Sequence, residues 1–239
     1  MSSDKTLIIF DVDGTLVYSE KRDSKTFAQT YRQIYGKAFP TIDWNHFPHV
    51  TDTTIFGTAI QDQFGREVEE GEIEAFQDHY IKGLKEKRQQ APSDYKEIPG
   101  AMDLMHYLKA HSNYKVAVAT GGWQRPAEVK LQHVSIDFSG IPIIGADQRF
   151  TREEIIHTAI DRSLNGVSSF QKIVYIGDAV WDVKTTRNLQ MDFVGVRWRN
   201  DLEVLSQLGA QRVVQDFRDR DYFLAQVAAA LPPAMEKVQ

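Results

Sequence analysis

Leu7-Ile8-Ile9-Phe10 places four large apolar residues in a row, with no polar residue alternating among them. A strand of that kind has to be covered on both faces. The texture returns at Lys115 to Ala119, from Ile141 to Ile144, at Lys172 to Ile176, at Asp192 to Val196 and, more weakly, at Arg212-Val213-Val214. Helical spacing lies between these runs: Leu104, Met105 and Leu108, then a stretch reaching about His133, then Ile155, Ile156, Ala159 and Ile160. Further helical stretches are expected near 183–189, 202–208 and 222–231. Buried strands alternating with helices imply an α/β fold, a parallel sheet with helices on both faces.

One long segment breaks the alternation. From Tyr18 to Ile98 there is no strand signal. Phe27, Tyr31 and Ile34 recur at helical spacing and Gly36 offers a stop. Pro40 to Val50 reads as a loop, and Thr51-Asp52-Thr53-Thr54 as the start of a helix carrying Ile55, Phe56, Ala59 and Ile60, which Gly65 ends. A third helix covers about Glu70 to Arg88, with Ile73, Phe76, Tyr80 and Leu84 inward. The expected organisation is an α/β unit formed by 1–17 and 99–239, with a helical unit, 18–98, inserted after the first strand.

A chain of 239 residues with 42% hydrophobic and 26% charged residues is an ordinary globular composition. Its 28 Lys and Arg against 33 Asp and Glu give a net charge of −5, which argues against a nucleic-acid partner. There is no cysteine, so thiolate chemistry and thiolate metal sites are out. No window approaches the roughly 18 consecutive apolar residues of a membrane span, and the first residues lack the apolar core of a secretory signal, so the expectation is cytoplasmic with no membrane partner. Nothing in the composition fixes an oligomeric state.

The chemistry collects at strand ends. The first strand runs into Asp11 and Asp13, followed by Gly14 and Thr15. Alone, Asp-x-Asp-Gly suits a turn as well as a metal site. Another strand ends in Thr120-Gly121-Gly122, and another in Gly177-Asp178 with Asp182 four residues on. In open α/β sheets ligands bind beyond the carboxyl ends of the strands. Carboxylates, a hydroxyl and glycine-rich turns together suit a hard cation such as Mg²⁺ and a phosphate.

With these residues in view the chain resembles the haloacid dehalogenase-like superfamily. Its first motif matches Asp11-Val12-Asp13-Gly14-Thr15, its second Thr120, its fourth Gly177-Asp178-Ala179-Val180-Trp181-Asp182, and its third, a lone basic residue, matches Arg152, with Arg149 and Lys130 as competitors. Ile98-Pro99-Gly100, Lys130-Leu131 and Thr51-Asp52 are similar to members near phosphoglycolate phosphatase. The resemblance implies a Rossmann-like three-layer sheet of order 3-2-1-4-5 with an inserted helical cap. It also implies a Mg²⁺-dependent phosphatase acting on a small phosphorylated metabolite through an aspartyl-phosphate.

In that scheme Asp11 is the nucleophile and Asp13 the general acid and base. Thr120, Gly121 and Arg152 hold the phosphate. Asp11, Asp13 (through its backbone carbonyl) and Asp178 hold the metal, with Asp182 a ligand or a support behind it. Tyr18, Glu20, Thr51, Asp52 and Lys82 are candidates for the rest of the substrate. Trp123 and Trp181 read as packing, and Arg197 and Arg199 as surface residues near the site. A dehalogenase does not need Asp13. A β-phosphoglucomutase-like phosphomutase shares the Asp pair, and a non-catalytic Asp–Mg²⁺ phospho-acceptor or binding module is the rival from another class. A phosphonate hydrolase would need a Schiff-base lysine in the cap, and none is identifiable.

Overall fold

The computed structural model describes residues 3–19, 21–47 and 49–235. The chain opens with β1 (Ser3–Phe10), a short β2 (Val17–Tyr18), and the helices α1 (Arg22–Tyr35), α2 (Asp52–Phe64) and α3 (Glu72–Gln90). It continues through β3 (Lys96–Glu97), α4 (Ala101–Ala110), β4 (Tyr114–Ala119), α5 (Gln124–His133), β5 (Ile143–Ile144) and α6 (Arg152–Ser163). It closes with β6 (Phe170–Gly177), α7 (Val180–Asn188), β7 (Asp192–Val196), α8 (Glu203–Gln207), β8 (Val213–Val214) and α9 (Arg220–Ala228).

The main sheet has the order β5-β4-β1-β6-β7-β8, all neighbours parallel. Relative to the expected five-strand order, it carries one more edge strand, the weak run at Val213-Val214. β1 sits at the centre, and Leu7, Ile8, Ile9 and Phe10 are all fully buried, as an unalternating apolar strand requires. Phe10 pairs with Val118 of β4 on one side and Ile176 of β6 on the other, so the three strands finish at one level.

The helical segment departs from expectation at its ends. Val17–Tyr18 and Lys96–Glu97 form an antiparallel pair where no strand was expected. Two residues per strand are too few to show an alternation, so periodicity could not reveal it. The pair brings entry and exit of the segment together beside the loop that follows β1. In α2, Thr51 caps the helix by accepting from Thr54 N–H. Among the described residues no helix is long and apolar enough to cross a membrane.

Candidate active site

The register of β4, β1 and β6 decides what can meet. Asp11 follows Phe10 and donates its N–H to Ile176 O (2.9 Å), extending the β1–β6 ladder by one residue. The chain then folds into a tight loop, with Leu16 and Val17 both donating to Val12 O and Gly14 N–H to Val17 O. Gly14 has φ +84°, and a Cβ there would overlap the Asp178 carboxylate. Only glycine meets both demands.

Asp11, Asp178 and Asp182 come together, each offering an oxygen within 4.8 Å of the others. Asp182 is fully buried and both its oxygens are engaged: Oδ1 accepts from Arg152 Nη2 (2.7 Å) and Oδ2 from Ala179 N–H (3.0 Å). Its carboxylate therefore supports Arg152 and the start of α7. Asp11 Oδ2 lies 3.4 Å from the same guanidinium, while its Oδ1 is buried with no hydrogen-bond partner. The Asp13 carboxylate is not in this group. Its Oδ2 accepts from Lys130 Nζ at 2.7 Å.

Arg152 is placed by the start of α6. Thr151 Oγ1 accepts from Glu154 N–H, and Glu154 Oε2 accepts in return from Thr151 N–H, a reciprocal cap that fixes the first turn. A cation there opposes the helix dipole by about 0.3–1 kcal/mol. The buried carboxylates outweigh that, since leaving such a partner unpaired costs about 3–5 kcal/mol. The guanidinium also donates to Tyr175 Oη (2.9 Å), whose own hydroxyl donates to Ala119 O (3.0 Å). The competitor Arg149 is spent locally on Asp147 O and Thr158 Oγ1.

Thr120 is buried and its hydroxyl accepts from Gly122 N–H (3.3 Å). At Gly121 a Cβ would overlap the Arg152 guanidinium, so the second strand end and the basic residue are in contact. These residues line a cavity of about 370 Å³ with Asp11, Asp13, Gly14 and Asp178, a size suited to a small molecule.

Electrostatics follow from burial. The Asp11 carboxyl is pushed up to about 7, first by burial, against the pull of Arg152 and with the help of Asp182 and Asp13. Asp178 is raised well above the usual carboxylate range by burial and then by Asp182 and Asp11. Asp11 and Asp178 crowded together in front of Asp182, an Asp11 oxygen without a partner, and carboxyls held toward their neutral forms fit a hard divalent cation.

Of the other candidates, Tyr18 and Asp52 line the cavity, and Asp52 Oδ2 accepts from Trp123 N–H (3.0 Å). Thr51 is buried and its hydroxyl donates to Phe150 O. Lys82 is exposed and is not among the lining residues. Glu20 lies outside the described residues. Trp123 is fully buried packing, stacked on Phe27, whereas Trp181 lines the cavity. Arg197 and Arg199 line it too, and Arg197 donates to the Asp178 carbonyl (3.0 Å). Sequence reasoning undervalued Arg197, although a charged residue just past a buried strand at the ligand end of the sheet was a signal. Tyr175, a lone hydroxyl among aliphatic strand residues, was a fainter one.

The sequence profile described as haloacid dehalogenase-like hydrolase matches residues 8–196. None of the curated proteins matches the chain in sequence. Among solved structures, a hydrolase from Pseudomonas syringae is similar at TM-score 0.65 and 21% identity, over 95% of this chain and 99% of that one. A predicted phosphoglycolate phosphatase from Haemophilus somnus 129pt is similar at TM-score 0.60 and 17% identity, covering 93% and 99%. A protein described as a candidate β-phosphoglucomutase from Bacteroides vulgatus gives TM-score 0.65 and 18% identity, covering 96% and 91%. At these identities the likeness is one of fold.

Proposed function

The chain belongs to the haloacid dehalogenase-like hydrolase family, and on that footing we propose that it is a Mg²⁺-dependent phosphatase of a small phosphorylated metabolite. The observation that carries the reading is Asp11: one buried oxygen without a partner, the other beside Arg152, on the wall of a cavity shared with Thr120 and Asp178. A carboxylate so placed is a nucleophile with a cation at hand for the group it attacks.

Asp11 attacks phosphorus, the bond from phosphorus to the leaving oxygen breaks, and Asp13 gives that oxygen a proton. The aspartyl-phosphate is then hydrolysed by a water that Asp13 deprotonates, which releases inorganic phosphate and restores both carboxyl groups. Thr120, Gly121 and Arg152 orient the phosphoryl oxygens. Asp11, Asp178 and the Asp13 backbone carbonyl are the groups that would hold Mg²⁺, with Asp182 behind them. When bound, Mg²⁺ supplies positive charge that lowers the repulsion between the carboxylates and a phosphate dianion. The helices α1–α3 act as a cap that excludes water and contacts the leaving group, with Asp52 and Tyr18 among its contacts.

Purified protein is expected to release inorganic phosphate from part of a phosphomonoester panel with Mg²⁺ and to lose that activity in EDTA. Asp11→Asn should reduce it by about 10³-fold or more. Wild-type rates in Asp11→Asn would overturn the nucleophile assignment.

A further inference from the structure

Lys130, in the last turn of α5, is buried, its side chain only 7% exposed. Its Nζ lies 2.7 Å from Asp13 Oδ2 and 3.7 Å from Asp23 Oδ2 of α1. The Asp52 carboxyl of α2 adds to the field that keeps it charged. A buried lysine among carboxylates can be simple charge compensation, and that explanation makes its own geometric demand. The carboxylate most in need of a cation is the one cut off from water, which is Asp23 at 8% side-chain exposure, not Asp13 at 46%. Yet the short contact goes to Asp13, and Asp23 receives the long one and a hydrogen bond from Ser19 Oγ (2.9 Å).

We infer that Lys130 is the positioning residue for Asp13, fixing which way that half-exposed carboxylate faces in the cavity and tying its placement to the seating of α1. The inference rests on the phosphatase reading above. An aspartate reaching into open space has two soft side-chain torsions. Lys130 has less of that freedom, because its side chain is buried where α5 packs on α3, and it holds Asp13 through one charge-assisted hydrogen bond. A displacement of about 1 Å in a reacting group can cost about 10²-fold in rate.

A residue acting through the proton donor shows itself in the leaving group. The test compares kcat/KM for p-nitrophenyl phosphate, whose leaving oxygen hardly needs a proton, with that for phenyl phosphate, whose leaving oxygen does. This ratio reports only the steps up to departure of the leaving group. Lys130→Met is expected to lose about 10- to 100-fold on phenyl phosphate and less than about threefold on p-nitrophenyl phosphate. Asp13→Asn should show the same selectivity more strongly, and Lys130→Arg should recover part of the phenyl phosphate rate.

Equal losses on both esters, or no loss on either, in a variant with a wild-type thermal melt would overturn the inference and leave the phosphatase reading standing. Should Lys130→Met not fold, Lys130→Met/Asp23→Asn removes the ammonium together with one carboxylate and carries the same comparison. A wild-type protein that releases phosphate from neither ester and from no other member of the phosphomonoester panel overturns the phosphatase reading itself.

Discussion

Gly14 carries two constraints that no other residue type meets together, a φ of +84° and the Asp178 carboxylate lying where a Cβ would be. Gly14→Ala should therefore displace Asp178 as well as strain the backbone, by about 1–2 kcal/mol for the left-handed conformation alone. The variant is expected to need about tenfold more Mg²⁺ for half-maximal activity, since disturbing what orients a metal ligand typically costs about 10- to 100-fold in affinity. A Mg²⁺ titration of phosphate release, with a thermal melt alongside, separates the two effects; an unchanged Mg²⁺ requirement would mean that Asp178 is not a ligand. At this scale the sequence was informative where a residue type is chemically committed. Asp11, Thr120, Arg152, Asp178 and Asp182 were all singled out by strand-end position or motif, and the fold brings them together. What could not be read was partnership. Lys130 lies 117 positions from Asp13, and no local pattern announces that a lysine in a helix will end against that carboxylate.

Among the elements, α5 joins two regions of the molecule. Its first turn lies against the helical segment through Trp123 and Asp52, and its last turn holds Lys130 and His133. His133 faces the ring of Tyr95, which precedes β3, and its backbone carbonyl accepts from Arg88 of α3 (3.2 Å). Burial, followed by Arg88, Lys85 and Lys130, lowers its imidazole from 6.5 to about 4. A depressed folded-state value means that the unfolded chain takes up the proton first. The stability associated with neutral His133 is complete above about pH 6.5 and is lost as pH falls from there to about 4. Carboxyls such as Asp11 titrate in overlapping ranges, so the comparison must be between wild type and His133→Gln. The wild type should lose more melting temperature than the variant between pH 6.5 and 4, and parallel curves would refute the assignment. The helices were legible because their period runs over many residues, and the long strands because each is an unbroken apolar run. The β2–β3 pair was not, since two residues per strand carry no period.

For the molecule as a whole, the question is whether the helical segment and the sheet are one cooperative unit. A continuous apolar cluster runs from Leu7 and Ile9 of β1 through Ala117 and Ala119 of β4 to Phe27, Phe56 and Phe76 of α1, α2 and α3. Trp123 stands where the two meet. Its ring lies 5.8 Å from each of those three phenylalanines, and its Nε1 donates to Thr53 Oγ1 (2.9 Å), which donates onward to Ala146 O (2.6 Å). Sequence patterning separated 18–98 from the rest because its texture differs, but texture says nothing about how much apolar surface is shared across the boundary. That much shared surface should couple the two regions in unfolding, so the wild type is expected to melt in one transition with equal calorimetric and van't Hoff enthalpies. Trp123→Ala removes the largest shared side chain and should destabilise by about 3–5 kcal/mol. It should also let the amides of α1–α3 exchange by a route the sheet does not share, at a lower free energy than those of β1, β4 and β6. Hydrogen exchange resolved by segment decides this. If protection in Trp123→Ala falls equally in helices and sheet, the tryptophan contributes to a core that was never divisible; if it falls first in α1–α3, one buried ring sets how firmly these helices are seated on the sheet.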